Sequence, residues 1–124
     1  MVTKVEKRGT GIYVVSEANG SLSREQVTVS ADAAAVLPVA TVLGKLTADS
    51  KYVPVDLGAS DGSEVAVAVL YAEVDATEDD QRAVVHTRVC EVDGNELVYP
   101  EGASEGDITT INGQLADLNV IVRY

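Results

Sequence analysis

The sequence predicts a mainly β protein with short helices (α+β), a single compact domain behind a flexible N-terminal arm. Three observations lead there. Val and Thr, which are stiff at χ1 and favour strands, are abundant. Short apolar runs are separated by turn signals such as Asn19-Gly20, Asp61-Gly62 and Asp93-Gly94. The length of 124 residues fits one domain, which at this size buries roughly two-thirds of the surface of its unfolded chain. With no Phe or Trp, the aromatics are Tyr13, Tyr52, Tyr71, Tyr99 and Tyr124. The core therefore falls to Val, Leu, Ile and Ala, and oligomerisation or docking could add useful burial.

Taken in order, residues 1–10 are polar and charged and lead into Gly9-Thr10-Gly11. Ile12 to Val15 is a short β-prone segment standing alone, and Ser16 to Ser23 reads as a loop around Asn19-Gly20. Gln26 to Ser30 alternates Val27 and Val29 with polar neighbours, as a half-buried strand does. Asp32 to Ala35 can form one helical turn before Pro38. Thr41 to Leu46 reads as a strand in which Gly44 marks a bulge or a close backbone approach, and Pro54 makes Lys51 to Val55 edge-like. Val65 to Val74 is apolar on both faces, as expected of a central buried strand. Asp75 to Gln81 is an acidic connector and Ala83 to Val92 the next long strand. Asp93-Gly94 predicts a hairpin into Glu96 to Tyr99. Asp107 is the expected cap of a helix carrying Ile108, Ile111, Leu115 and Leu118 on one stripe, and Val120 to Val122 a last strand.

The formal net charge is −11. Residues 1–10 hold Lys4, Lys7 and Arg8 against Glu6, so the remainder carries −13. An acidic body argues against nucleic acid and anionic membranes as partners. The basic end fits either a disordered terminus or a tail that seeks an acidic partner. Cys90 is the only cysteine, so no internal disulfide forms and nothing requires an oxidising compartment. No signal peptide is visible. The longest apolar run, Val65 to Ala72, is far below the ~20 residues that span a bilayer. A soluble protein made in a cytoplasm is expected.

Catalysis finds little to work with. His86, the only histidine, lies four residues from Cys90 on the expected strand. That spacing is ~13 Å, too long for a dyad, and both side chains are expected to face solvent or an interface. One Cys and one His cannot make a typical zinc site. The cluster Asp75, Glu78, Asp79 and Asp80 lacks the Gly and the terminal Glu of a calcium loop, so a solvated acidic turn is expected. No phosphate loop, dinucleotide fingerprint or nucleophile elbow occurs. The sequence thus predicts no enzyme, no cofactor and no metal. Ile12 to Val15, between a glycine hinge and a turn, can add itself to a partner's sheet edge or serve as the first strand of the protein's own sheet.

Residues 13–29 (YVVSEANGSLSREQVTV) resemble the start of the lambda-type head decoration proteins of tailed bacteriophages. Further matching stretches follow in the family's order: residues 37–46 (LPVATVLGKL), 51–54 (KYVP), 59–63 (ASDGS), Leu70-Tyr71, 74–77 (VDAT), 83–85 (AVV) with Arg88, Glu91-Val92 and 97–100 (LVYP). Ala40 stands where the resemblance leads one to expect glycine, which puts the local turn geometry in question. Tyr99 stands where tryptophan is common.

The resemblance implies a structural virion protein that sits on the outer surface of the expanded capsid. It would bind the major capsid protein as homotrimers at three-fold sites and act as a cementing protein against internal DNA pressure. It would be made in the host bacterial cytoplasm. Carried onto this chain, residues 1–20 would be the capsid-binding arm and 21–124 the decoration domain. Gly11, Ile12, Tyr13, Val14, Val15, Ser16 and Glu17 would make the contact, with Ile12 and Val14, or Tyr13 and Val15, as the inward-facing pairs. Lys4, Lys7 and Arg8 would lie beside them. Deleting residues 1–17 would then leave a folded protein that no longer protects capsids. The alternative is a β-rich binding or adaptor module of a virion or tail without three-fold preference.

Overall fold

A closed five-stranded barrel carries a small three-stranded sheet and one helix on its side. The structure is a computed structural model and describes residues 9–124. Lys4, Lys7 and Arg8 lie outside the described residues.

The barrel strands are β2 (Arg24–Val29), β4 (Val42–Lys45), β5 (Tyr52–Pro54), β6 (Ala66–Leu70) and β8 (Gln81–His86), in the order β2-β5-β4-β6-β8. The pairing of β2 with β8 is the longest, antiparallel from Arg24↔His86 to Val29↔Gln81. β5 is not an edge. It lies between β4 and β2, although Val29↔Tyr52 is its sole register pair with β2. A short ribbon of β3 (Val36–Leu37) and β7 (Val74–Asp75) lies outside the barrel. The second sheet has the order β1-β9-β10, from β1 (Val14–Glu17), β9 (Cys90–Asp93) and β10 (Val120–Arg123).

Two apolar clusters follow this division. One is built from Val29, Leu43, Tyr52, Ala68, Leu70, Ala83 and Val85 of the barrel with Leu37, Val74 and Ala76. The other joins Val42, Ala66 and Val69 of the barrel to Tyr13, Val92, Val120 and the helix residues Ile111 and Leu115. β6 serves both clusters, which explains why both of its faces are apolar. An extra residue, Val67, stands on β6 where Leu43 and Gly44 of β4 pair with Ala68 and Ala66. The alternation breaks there, so Ala66 and Val69 enter the second cluster while Ala68 and Leu70 enter the first.

Gly44 lies opposite that bulge at Val67 and makes the close approach that its position in a strand suggests. A Cβ built there would stand 2.6 Å from the Ser63 carbonyl oxygen. Ala40, in place of the expected glycine, is fully buried with φ at +73°, a left-handed conformation that costs an L-residue about 1–2 kcal/mol.

Several expectations are corrected. The strand foreseen over residues 83–92 is two strands in two sheets. Between them Val89 adopts φ +48°, unusual for a β-branched residue, and the chain passes from barrel to second sheet. No hairpin follows Asp93-Gly94. The chain turns through an Asp93–Glu96 hydrogen bond of 3.0 Å, and Val98 then makes a parallel bridge to Thr41. The loop expected over residues 16–23 contains the end of β1 and a single helical turn, α1 (Gly20–Ser23), capped by Asn19. Helix α2 (Glu105–Ala116) is capped by Ser104, with Asp107 returning the bond from the third helical position. In its stripe Ile111 and Leu115 are fully buried, whereas Leu118 is exposed beyond its end. Gln114 ties α2 to the barrel by accepting from the Ala66 amide at 2.8 Å.

Gly44→Ala is expected to lower unfolding free energy by about 2 kcal/mol, measured by urea denaturation. A neutral result would mean that the Ser63 loop moves aside freely.

Candidate functional site

Of residues 11–17, the segment that sequence reasoning singles out, Val14–Glu17 join the protein's own sheet as β1, and residues 11–13 form the turn that leads into it. β1 pairs antiparallel with β9, Val14↔Val92, Ser16↔Glu91 and Glu17↔Cys90. The extra residue Val15 produces a bulge between Val14 and Ser16. Tyr13 is fully buried and Val14 packs on the core, while Ile12 and Val15 are 48% and 56% exposed. β1 ends the sheet order, so its outer edge has no strand beside it among the described residues. Ala18, just after β1, donates to the Val89 carbonyl at 3.2 Å.

Beneath this segment lies a polar cluster that sequence reasoning missed. His86, expected at the surface, is fully buried. Its Nδ1 is 2.7 Å from the Tyr13 hydroxyl and its Nε2 is 2.5 Å from Glu17 Oε2. Arg24 donates from Nη2 to Glu17 Oε1 at 2.6 Å and from Nε to Oε2 at 3.1 Å. The guanidinium sits 4.4 Å from the centroid of the Tyr71 ring, and Tyr71 and Tyr13 each lie 5.5 Å from the imidazole, centroid to centroid. β-Pairing creates the site, since Arg24↔His86 is a register pair of the barrel and Glu17 arrives from β1.

Two proton arrangements satisfy the imidazole. In the neutral one, the Tyr13 hydroxyl donates to Nδ1 and Nε2–H donates to Glu17. In the charged one, Nδ1–H donates to the Tyr13 oxygen, whose hydroxyl turns to the Val69 carbonyl at 3.3 Å. Glu17 accepts from Nε2–H in both. Its hydrogen bonds from Arg24, and then from His86, hold its carboxyl below the usual range. Burial pushes the Tyr13 hydroxyl up. The arrangement positions a strand. No nucleophile joins it, because Cys90 is buried and its thiol is pushed up to about 11, chiefly by burial.

Next to the cluster, Ala18, Val89 and Ile121 line an open hollow with Cys90. On the outer face of the sheet, Glu91 accepts from Ser16 at 2.6 Å and from Arg123 at 2.9 Å. Among the described residues, no group of three or more His, Cys, Asp or Glu is placed to hold a metal, and no helix is long and apolar enough to cross a membrane.

Because the folded carboxyl of Glu17 lies below its unfolded value, its stabilisation is complete above the unfolded value near 4.5 and is lost as pH falls through the folded one. The stability gap between wild type and Glu17→Gln should therefore close on acidification, measured by urea titrations from pH 7 downward. A gap that stays constant would remove the charge from the account. Cys90 should resist alkylation at neutral pH in the native protein and react at the free-thiol rate in denaturant, read by mass spectrometry.

Comparison with known proteins gives one positive finding. The family model described as bacteriophage lambda head decoration protein D matches residues 3–120. No curated protein matches the chain. The family match spans the barrel, β1, β9 and α2, so the chain belongs to the bacteriophage lambda head decoration protein D family.

Proposed function

We propose that this protein binds the outer surface of the expanded phage capsid as trimers at three-fold sites and stabilises the shell against the pressure of packaged DNA. Its partner is the major capsid protein, contacted through residues 1–20 with Gly11 to Glu17 at the centre. It catalyses nothing, and it is made in the host bacterial cytoplasm before joining the virion. Family membership supports the capsid association. The observation that carries the contact is the position of β1, an edge strand. It offers a partner strand its outer edge while Ile12 and Val15 present apolar side chains beside it. Preference for the expanded shell follows if expansion exposes the matching edge, because a ligand stabilises whichever state it binds more tightly.

Deleting residues 1–17 is a poor test, contrary to the sequence expectation, because it also removes the buried Tyr13 and all of β1. Val15→Glu is better, since that side chain faces outward. Wild-type protein should co-sediment saturably with expanded shells, in multiples of three per three-fold site, and fail to bind unexpanded ones. Val15→Glu, with an unchanged circular dichroism spectrum, should bind at least tenfold more weakly. Binding to both shells without a three-fold ratio would favour a general adaptor, and undiminished binding by Val15→Glu would move the contact off β1.

A further inference from the structure

We propose that residues 11–17 form a strap that opens as a unit while the barrel stays closed, with the Glu17 carboxylate as its clasp. This inference goes beyond capsid binding and does not depend on it.

The barrel closes through β2, β5, β4, β6 and β8, and none of its pairs uses β1. Besides its ladder to β9 and the Ser16–Glu91 bond, the strap is held at three places. At its start, Gly11 donates to the Tyr71 carbonyl at 2.9 Å, with φ at +66°. In its middle, Tyr13 fills the core, and its carbonyl accepts from Asp93 at 2.7 Å. At its end, Glu17 joins Arg24 of β2 and His86 of β8. The β-ladder between is interrupted by the Val15 bulge, and Ile12 and Val15 contribute little burial. An edge strand with a broken ladder is a ready unit for sub-global opening.

Glu17 is the clasp because its partners have no substitute for it. His86 presents Nε2–H to it in either proton arrangement, and a fully buried N–H left without an acceptor is costly. The groups facing the carboxylate are Arg24 of β2, His86 of β8, Cys90 of β9 and the Tyr13 hydroxyl. Arg24 is the cation that pairs with it in the ion-pair geometry. Replacing one carboxylate oxygen by an amide NH2 sets donor against donor at whichever oxygen is lost, since both already accept.

Native-state hydrogen exchange at low urea tests this on the full chain. Three amides report the strap: Gly11, Ala18, which donates to Val89, and Asp93, which donates to Tyr13. Ala40, Leu70 and Tyr71 report the barrel. In wild type the strap amides should exchange at least tenfold faster than the barrel amides, with little dependence on urea. Glu17→Gln should speed the strap amides at least tenfold more and leave them ahead of the barrel. Arg24→Gln, which keeps the His86 bond, should fall between. Ser16→Ala, on the same strand but bonded outward to Glu91, should change them less than threefold. A single urea-dependent rate shared by strap and barrel in wild type would overturn the proposal. So would strap amides indifferent to Glu17→Gln, or loss of protection throughout that variant.

Discussion

The burial of one imidazole organises the side of this molecule where two sheets meet. His86 ends β8, pairs in register with Arg24 at the start of β2, and is fully buried. A polar ring in that position must have partners on both nitrogens, because an unmatched buried donor or acceptor costs more than a hydrogen bond gains. The barrel supplies neither. Tyr13 and Glu17 come from the N-terminal segment, four residues apart on either side of a bulge. Docking β1 thus completes the hydrogen bonding of a barrel residue, and the barrel completes the burial of Tyr13. Each half is deficient without the other, a coupling that a purely apolar contact would not impose with the same specificity.

That coupling explains how a domain with few aromatics and an acidic surface holds together. Tyr13 is among the largest fully buried side chains, and it contributes area that Val and Ala cannot. The remaining core divides into two clusters on either side of β6. The acids lie mostly outside and serve loop geometry. Asp61 and Asp75 accept from Ser63 and Thr77 two residues on, and Asp80 accepts from the Ala31 amide while pairing with Lys51. Turns of this kind fix the short connections that a small barrel needs. They leave the negative charge dispersed in solvent, where it costs the fold little.

Much of the fold was legible in the sequence, for identifiable reasons. The β-rich class, the strands containing Val27, Leu43, Val69 and Val85, the final strand and the apolar stripe of α2 all follow from period and composition. Gly44 signalled the close approach, and the glycine expected at position 40 matches a backbone that is left-handed there. What the sequence hid depends on long-range register. The run from Ala83 to Val92 reads as one strand because Val89 is β-branched. Only tertiary packing makes it turn, by using the Val89 carbonyl to accept from Ala18 and Ser23. The Asp93-Gly94 hairpin signal was locally sound. It was overridden because β9 already has β1 and β10 as neighbours, leaving no side for a returning strand. The site was half legible. The segment 11–17 stood out by composition, but its union with Arg24 and His86 spans 69 residues of sequence and leaves no local pattern. The one available hint was a tyrosine in a chain short of aromatics, a residue with strong reason to be inside.

The placement of residues 11–17 alters the energetics of a capsid contact. A free arm would bind by ordering, and the entropy of ordering would oppose affinity. Here the backbone of β1 is already extended and held on one side by β9. A partner strand joining its outer edge would meet a preorganised edge, and only the partner would lose freedom. The bulge at Val15 then acquires a use. A flat, regular edge invites indiscriminate strand pairing, and a bulge restricts which strand can follow it. The same distortion turns Val15 outward while Tyr13 and Glu17 remain committed to His86. Residues 13–17 thereby separate two tasks by face: Tyr13 and Glu17 lock the fold, and Val15 and the outer edge of β1 face away from it.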